Sequence, residues 1–376
     1  MKPTTVKRTL AAALVATLGL LGLAGCADLG YYWQSVSGHL QMLNAARPVD
    51  EWLGDAQASE QLKTRLALAQ RIRSFAVTEL KLPDNPSYRR YADLRRSAVV
   101  WNVVAAPEFS LTLKTWCFPV TGCVGYRGYF NEAEARAEAE RLKAEGLEIS
   151  VYGVPAYSTL GWMNWAGGDP LLSTFIGYPE GELARLIFHE LSHQVVYAKD
   201  DSMFNESFAT AVERMGSQRW LDSEALRGND KARQDYAVFD GRRRQFRALA
   251  LATRRELADI YEENKASAGV GSGSGQAAMK SAAMQRFRDE YAKLKASWGG
   301  FAGYDPWVAR ANNAAFGAQA AYDELVPGFE ALFEREGRDW QRFYDAVKRL
   351  ASLPKEERRK ALQTNNTDNK TETPNG

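Results

Sequence analysis

Two histidines four residues apart, with a glutamate directly after the first, constrain this chain more than any other feature. His189, Glu190 and His193 form the pattern HExxH within RLIFHELSHQ. Residues four apart on an α-helix project from the same face, so the two imidazoles would lie one turn apart. The pattern therefore predicts a helix over this stretch and a metal site on one of its faces.

Zinc is the metal that this pattern predicts. A catalytic zinc site takes three protein ligands and keeps a fourth position for water. His189 and His193 supply two ligands, and Glu190 would lie beside the open position, where it can act as general base. The alternative is a structural zinc site, but such sites are usually four-coordinate and rich in cysteine. Two of the chain's three histidines are used here, which argues against a chance match.

Glu206 is the candidate for the third ligand. We expect the zinc helix to end near Ala198 and a polar turn to follow over 199–202. The stretch NESFATAVERM then predicts a second helix, with Asn205 close to its start. A helix, a turn and an antiparallel helix would bring the Glu206 carboxylate back towards the two histidines.

The order HELSH and then FNESFAT, with 12 residues between His193 and Glu206, resembles the gluzincin group of zinc metallopeptidases. Within that group the chain is similar to a family of bacterial lipoproteins described as predicted aminopeptidases. The stretches that carry this wider likeness are YYWQSVSGHL, CFPVTGCVGYRGYF, GVPAYSTLGW and NNAAFGAQAAYDELVPGFEALF. The resemblance implies a peptide substrate, a Zn²⁺ cofactor held by His189, His193 and Glu206, and Glu190 as the catalytic base.

A hydrogen-bond donor to the tetrahedral intermediate is also implied, because gluzincins usually supply one from a tyrosine or a histidine. His39 is the one histidine left, and we interpret it as a hydrogen-bonded structural residue, with a distant ligand as the alternative. A tyrosine is therefore expected. The first candidates, which follow the zinc helices in the chain, are Tyr304 and Tyr322, and the second choices are Tyr236 and Tyr157. The alternative role of each is packing in the core.

An aminopeptidase also needs a buried carboxylate that pairs with the ammonium of the substrate's free amino end. Familiar aminopeptidase gluzincins carry it in a GxMEN strand, and this chain has no such string. Asp169, in WAGGDP, is the candidate in the region before His189. Its alternative role is ordinary turn chemistry before a proline. Glu180 and Glu182 fall in the first turn of the zinc helix, where acidic residues are common.

The N-terminal residues 1–25 are typical of a secretory signal, with three basic residues ahead of an apolar run from Leu10 to Leu23. The run ends in LAGC, which resembles a bacterial lipobox. The expectation is a lipid anchor on Cys26, holding the protein on the outer membrane facing the periplasm, because Ala27 rather than aspartate follows it. The alternative is ordinary cleavage that leaves a free thiol.

The charge balance excludes a nucleic-acid-binding role. The chain carries 48 Lys+Arg and 46 Asp+Glu, and removing residues 1–25 leaves 45 basic and 46 acidic side chains. No basic excess remains that could bind a polyphosphate.

Cys117 and Cys123 are the other two cysteines. In an exported protein, two closely spaced cysteines usually form a disulfide. The alternative is a redox-active or metal-binding pair, although redox motifs generally have two intervening residues and this pair has five. We therefore expect a structural bridge around a small turn.

The fold expected is α+β and predominantly α-helical, with a gluzincin (thermolysin-like) zinc helix pair packed on a small mixed or antiparallel β-sheet. One metallopeptidase domain would span 26–362, and a disordered tail would span 363–376. Apolar periodicity predicts helices over 31–44, 57–80, 131–145, 222–265, 278–297, 311–324 and 326–350 and strands over 98–105, 109–116 and 147–154. Residues 266–276 are expected to form a flexible loop. Residues 153–160 resemble the strand edge that binds substrate in gluzincins, and the alternative is a buried strand that ends in a loop.

Three functions remain open from the sequence. The first is a zinc aminopeptidase, the second a zinc endopeptidase with the same metal centre, and the third a lipoprotein with a binding or assembly role and a vestigial metal site.

Overall fold

The computed structural model describes residues 30–118, 122–225, 227–266, 272–320 and 324–364. The lipidation candidate Cys26 and the oxyanion candidate Tyr322 lie outside these ranges, as do the signal segment 1–25 and residues 365–376.

Helices make up most of the described chain. They are α1 (30–45), α2 (Val49–Gly54), α3 (Glu60–Thr78), α4 (Glu132–Ala144), α5 (Glu180–Ser192), α6 (Ser202–Ala225), α7 (Asp230–Ala266), α8 (Ser272–Ser297), α9 (Asp305–Ala309), α10 (Asn313–Ala320), α11 (Val326–Arg335), α12 (Trp340–Ala351) and α13 (Lys355–Thr364). A 3₁₀ turn, Asn164–Ala166, lies between the last two strands of the described residues.

The strands are short and are distributed over three small sheets. They are β1 (Arg47–Pro48), β2 (Arg90–Ala92), β3 (Val100–Pro107), β4 (Trp116–Phe118), β5 (Gly122–Val124), β6 (Arg127–Tyr129), β7 (Leu147–Val154) and β8 (Leu171–Leu172). The orders are β1-β2-β8, β6-β3-β7 and β4-β5. The β6-β3-β7 sheet is antiparallel throughout, with Trp101 opposite both Tyr129 and Gly153.

The main core is aromatic, and it fixes the two helices of the candidate site against each other. Phe204 and Phe208 of α6 pack on Phe329 of α11, with ring centroids 5.1 Å and 5.7 Å apart. On the other side, Phe188 of α5 packs near Phe75 of α3, with centroids 6.1 Å apart. Burying each such ring contributes about 1.5–3 kcal/mol, so α5 and α6 are held from both sides.

A second core forms where α7 and α8 pack as an antiparallel pair against α9 and α10. Its centre contains Phe246, Phe287, Trp307 and Phe316. The ring of Tyr304 stacks on Phe246, with centroids 4.1 Å apart and planes 12° from parallel.

The predicted disulfide is confirmed. Cys117 and Cys123 are bonded and close the β4–β5 hairpin. The backbone N of Cys123 donates to Asp200 Oδ1 at 2.6 Å, which fastens the hairpin to the turn between α5 and α6. Gly122 has a φ of +74°, and a Cβ there would overlap the Asp200 carboxylate, so only glycine fits.

Most predicted elements are found, and β7 matches its predicted range of 147–154. Five expectations are wrong. The HExxH helix ends at Ser192 rather than near Ala198, and 222–265 is not one helix, because α6 ends at Ala225 and α7 begins at Asp230. In addition, 109–116 contains no strand before Trp116, 272–276 is helical instead of loop, and 326–350 is two helices. The last of these breaks at Gly337, whose φ of +71° ends α11.

Two features of the predicted architecture also need correction. Helix α5, which was expected to pack on the sheet, packs chiefly against helices α6, α3 and α7, whereas α4 and α10 cover the β6-β3-β7 sheet. The final helix α13 extends to Thr364, so the first two residues of the predicted tail are helical.

None of the helices within the described ranges is both long enough and apolar enough to cross a membrane.

Candidate metal centre

Helix α5 presents one apolar face to the core and one polar face to the candidate site. Leu183, Ile187 and Leu191 repeat at intervals of four and are all buried. Glu180 and Glu182 stabilise its first turn through the helix dipole. His193 is the C-cap residue, and its φ of −60° and ψ of −19° continue the helical path. The two histidines therefore keep their one-turn spacing although the helix ends earlier than expected.

The turn that follows is closed by Asn205. Its side-chain oxygen accepts from the backbone N of Ala198 at 2.7 Å, and its amide donates to the Ala198 carbonyl at 2.8 Å. Asp201 Oδ1 accepts from the backbone N of Phe204 at 3.3 Å, which is an N-cap for α6. Together these bonds fold α6 back along α5 and carry Glu206 to the histidine pair.

The three predicted ligands meet in the structure. His193 Nε2 lies 3.3 Å from His189 Nε2. Glu206 Oε2 lies 3.3 Å from His189 Nε2 and 3.7 Å from His193 Nε2. Ligand atoms about 2.0–2.1 Å from a tetrahedral zinc ion would be separated from each other by about 3.3–3.4 Å. The side chains therefore fit a metal ion, and they are the one His/Cys/Asp/Glu cluster of this kind within the described ranges.

A second carboxylate orients His189. Glu213 Oε2 lies 2.8 Å from His189 Nδ1, and Glu213 Oε1 lies 2.8 Å from Arg185 Nη2. The bond at Nδ1 turns Nε2 of His189 towards Glu206 and His193, which is where a metal ion would lie. Burial alone would raise the pKa of Glu213, but Arg185 and His189 hold this pKa down at about 2. Glu213 is therefore ionised in the folded protein.

The carboxylates of Glu206 and Glu213 favour a positive charge at His189, which lies between them. Burial would lower the pKa of His189, but its bonds to Glu206 and Glu213 raise this pKa to about 10. Burial lowers the pKa of His193 to about 4, so the second imidazole stays neutral and keeps its lone pair. A metal cation could take the place of the His189 proton, because it satisfies the same negative charges.

Glu190 is half-buried, and no hydrogen bond or ion pair joins its carboxylate to another residue of the described chain. Burial raises its pKa to about 7, with the nearby charges of Glu206, Asp169 and Glu213 acting in the same direction and His189 opposing them. A carboxylate with this pKa and unoccupied oxygens has the properties of a general base.

A family model described as "Putative aminopeptidase" matches residues 30–362. The chain belongs to this family. No curated protein and no solved structure matches the chain significantly. Membership in the aminopeptidase family agrees with the resemblance read from the sequence, and the matched range contains His189, His193, Glu206 and Glu190.

Asp169, the candidate for binding a free amino end, lies close to the centre but is only 1% exposed. Its two carboxylate oxygens accept from the backbone N of Thr159 at 3.2 and 3.1 Å. Gln194, the residue after His193, donates to Asp169 Oδ2 at 3.3 Å. Burial raises the pKa of Asp169 to about 6. In this conformation the carboxylate fastens the 159–169 loop to the residue that follows α5 and its cap.

Of the tyrosines predicted to stabilise the oxyanion, those that the structure describes lie in different parts of it and do not gather at the candidate metal centre. Tyr304 stacks in the second core, and Tyr236 is buried beneath the Arg243 guanidinium, 5.9 Å from its ring centroid. Tyr157 packs edge-on against Phe130, with centroids 5.4 Å apart. Tyr322 lies outside the described residues.

Three tyrosines outside the predicted set lie near Glu206. They are Tyr126 after β5, Tyr152 on β7 and Tyr197 in the turn after α5. Burial first, and then the negative charge of Glu206, raises the pKa of each hydroxyl. Tyr197 is four residues after His193, so its spacing from the HExxH motif could have suggested it. Tyr126 and Tyr152 lie far from the motif in sequence, and only the fold brings them to it.

His39 lies outside the metal cluster. Its ring packs against Tyr157, with centroids 5.7 Å apart. Neither ring nitrogen has a hydrogen-bond partner in the described chain, so the expected hydrogen-bonded histidine is a packed one instead. Burial lowers its pKa accordingly.

Proposed function

We propose that the protein is a zinc-dependent aminopeptidase that hydrolyses the first peptide bond of a chain with a free amino end. The observation that carries the proposal is the meeting of His189, His193 and Glu206 at distances that suit a tetrahedral ion, in a member of the aminopeptidase family. A structural zinc site would need a fourth protein ligand, and the described cluster offers three.

A zinc ion held by these three residues would lower the pKa of a bound water and polarise a peptide carbonyl. The remaining steps belong to the chain. Glu190 takes the proton of the attacking water and passes it to the leaving amine. Its raised pKa suits both steps, because a carboxyl with a pKa near 7 can accept a proton and release it again near neutral pH.

Glu213 and Arg185 support the metal ligands without contacting the substrate. The bond from His189 Nδ1 to Glu213 fixes the tautomer and the direction of the ring. Arg185 keeps Glu213 ionised, and it stands four residues before His189 on the same helix face. We propose that this chain of three side chains determines how tightly the ion is held.

Strand β7 is the element proposed to bind the substrate backbone. In its sheet it pairs with β3 alone, so it is an edge strand. One group of its other edge, the Ile149 carbonyl, is already occupied by Asn312 Nδ2 at 2.8 Å. Beyond β7 the backbone is already engaged, because Pro155 O accepts from Thr174 Oγ1 at 2.5 Å and the backbone N of Thr159 donates to Asp169. We therefore place strand addition by a peptide along the outer edge of β7 itself.

An endopeptidase with the same centre is the second candidate, and the burial of Asp169 favours it. A carboxylate that is 1% exposed and bonded to Thr159 and Gln194 does not meet a substrate ammonium unless the loop opens. In the aminopeptidase, the loop would open on binding and Asp169 would exchange these bonds for the ammonium.

Anchoring completes the proposal. Residues 1–25 would be removed as a secretory signal, Cys26 would be lipidated, and the domain would face the periplasm from the outer membrane. The disulfide between Cys117 and Cys123 supports an oxidising compartment.

Paired fluorogenic peptides test the reaction. Each peptide would be offered with a free and with an acetylated amino end, to the unmodified protein and to Glu190→Gln. An aminopeptidase cleaves the free form only, and Glu190→Gln cleaves neither. Equal cleavage of both forms by the unmodified protein would establish the endopeptidase, and no Glu190-dependent cleavage would leave only the binding role.

A further inference from the structure

The outer face of α1 is apolar and exposed. Tyr32, Trp33, Val36 and Leu40 are all exposed, with Trp33 at 73%. Successive helical residues are turned by about 100°, so these four side chains fall within one arc of about 100°. They form a continuous stripe along the first helix of the described chain. We refer to this stripe as the α1 face.

The opposite side of α1 is fixed to the domain, so the α1 face cannot turn inward. Gln34 accepts from the backbone N of Phe130 at 3.0 Å. Gly38 lies against the Phe130 ring, where a Cβ would overlap ring carbons. Met42 is buried in the main core. These three inner residues fix the orientation of α1, and the exposed side chains take no part in those contacts.

The α1 helix carries no charge that would keep such a stripe in water. Between Gly30 and Ala46 there is no Asp, Glu, Lys or Arg. Helix α4 of the same chain, by contrast, places glutamates and arginines along its exposed side. Tryptophan and tyrosine on an uncharged helix are typical of the boundary between lipid headgroups and acyl chains.

A second exposed apolar element lies next to α1. Trp162 and Trp165 are exposed, Trp165 at 83%, in the loop that contains the 3₁₀ turn. Arg90 joins the two elements. Its Nη2 donates to the carbonyls of Leu43 and Ala46 at 2.6 and 2.8 Å, and its Nη1 donates to the Ala166 carbonyl at 3.1 Å.

We infer that the α1 face, together with Trp162 and Trp165, docks into the interfacial layer of a lipid bilayer. The choice of a bilayer rests on the proposed lipid on Cys26, four residues before Gly30. Four extended residues span at most about 14 Å, so a lipid on Cys26 would hold the start of α1 at headgroup depth. The α1 face would then meet lipid directly.

Docking would also place the candidate site near the bilayer. The loop that carries both tryptophans ends at Asp169, which is bonded to Thr159 and to Gln194 beside the zinc helix. The bilayer contact would therefore orient the loop that borders the site, and peptides at the membrane surface would be the accessible substrates.

Vesicle binding by the chain from residue 26 with Cys26→Ser tests the docking surface without a lipid anchor. This protein contains every described residue, and its binding is independent of whether Cys26 is lipidated or the site is active. With vesicles of phosphatidylethanolamine and phosphatidylglycerol carrying brominated acyl chains, we expect co-sedimentation and quenching of tryptophan fluorescence. Trp33→Ser/Val36→Ser/Leu40→Ser should weaken binding at least about tenfold, because affinity scales with the apolar area buried. Trp162→Ser/Trp165→Ser should reduce both binding and quenching.

The matched control is Val238→Ser/Met279→Ser, which removes two exposed apolar side chains from α7 and α8. This variant should bind as the unmodified chain does. Circular dichroism and zinc content should be the same for all four proteins. Absence of vesicle binding, or equal binding by the triple variant, would overturn the inference. A dimer in sedimentation equilibrium that the triple variant abolishes would also overturn it, because a second copy would then be the occupant of the α1 face. A higher KM of the triple variant for soluble peptides, with unchanged vesicle binding, would identify the substrate as the occupant instead.

Discussion

Glu213 Oε2 lies 2.8 Å from His189 Nδ1, while the other oxygen of the same carboxylate lies 2.8 Å from Arg185 Nη2. The first candidate ligand is therefore oriented by an ionised, buried partner. His193 has no such support, because its Nδ1 is buried without a hydrogen-bond partner among the described residues. The two histidines should contribute unequally to the pH dependence and strength of metal binding.

Glu213→Gln should lower zinc affinity by about 10- to 100-fold, because the charge that fixes and polarises the His189 ring is lost. Competition with a chelator of known affinity measures this. Glu224→Gln is the control, since Glu224 is also buried on α6 and paired with arginine. Unchanged zinc affinity in Glu213→Gln would show that the carboxylate stabilises the helix pair only.

Glu190→Gln should keep its zinc and lose turnover, because the amide cannot accept the proton of the attacking water. In the active enzyme, kcat/KM should rise with pH as Glu190 loses its proton. The pKa of about 7 applies to the metal-free protein. A bound cation lowers it, so the acid limb should lie below pH 7. A flat profile between pH 4 and pH 7, sampled at about one-unit steps, would argue against this base.

Tyr322→Phe should lower kcat at least about tenfold if this hydroxyl stabilises the oxyanion. Leu325, three residues after Tyr322, donates from its backbone N to Ser207 Oγ at 3.3 Å, and Ser207 directly follows Glu206 in the sequence. Tyr304→Phe is the matched comparison and should have little effect on kcat, because its ring stacks on Phe246 in the second core. If neither variant slows turnover, Tyr126, Tyr152 and Tyr197 become the residues to change.

Asp169→Asn should raise the KM for peptides with a free amino end and leave zinc content unchanged. The substitution keeps the size of the side chain and removes the charge that would pair with an ammonium. A change in kcat with no change in KM would instead assign Asp169 to fastening the 159–169 loop to Gln194.

The meeting of His189, His193 and Glu206 could be predicted from the sequence because the spacing decides most of its geometry. HExxH on a helix fixes His189 and His193, and a turn capped by Asn205 leaves little freedom for Glu206. Glu213 and Arg185 could have been found, since Arg185 is four residues before His189 and Glu213 seven after Glu206. Charged residues at these intervals are ordinary on a solvated helix, so the spacing did not distinguish them.

Other features depend on tertiary packing and could not be read from the sequence. Tyr304 follows the zinc helices in the chain, yet α7 and α8 pack as their own unit and draw it into the second core. The expected end of α5 is too late because 194–198 contains no glycine, proline or asparagine that would mark a stop, whereas the backbone there turns to bring α6 back. For α1 the apolar periodicity predicts a helix but does not show which apolar side chains stay exposed. The covered face depends on the contact with Phe130, which lies far away in the sequence.

Zinc titration of the metal-free enzyme tests the central claim most directly. The protein would be stripped with a chelator, and hydrolysis of a free-amino peptide would be followed as zinc is added back. We predict no activity without metal, a linear return that saturates at one zinc per chain, and no return in Glu206→Ala. Full activity in the metal-free protein, or full recovery by Glu206→Ala, would contradict a hydrolytic zinc ion held by His189, His193 and Glu206.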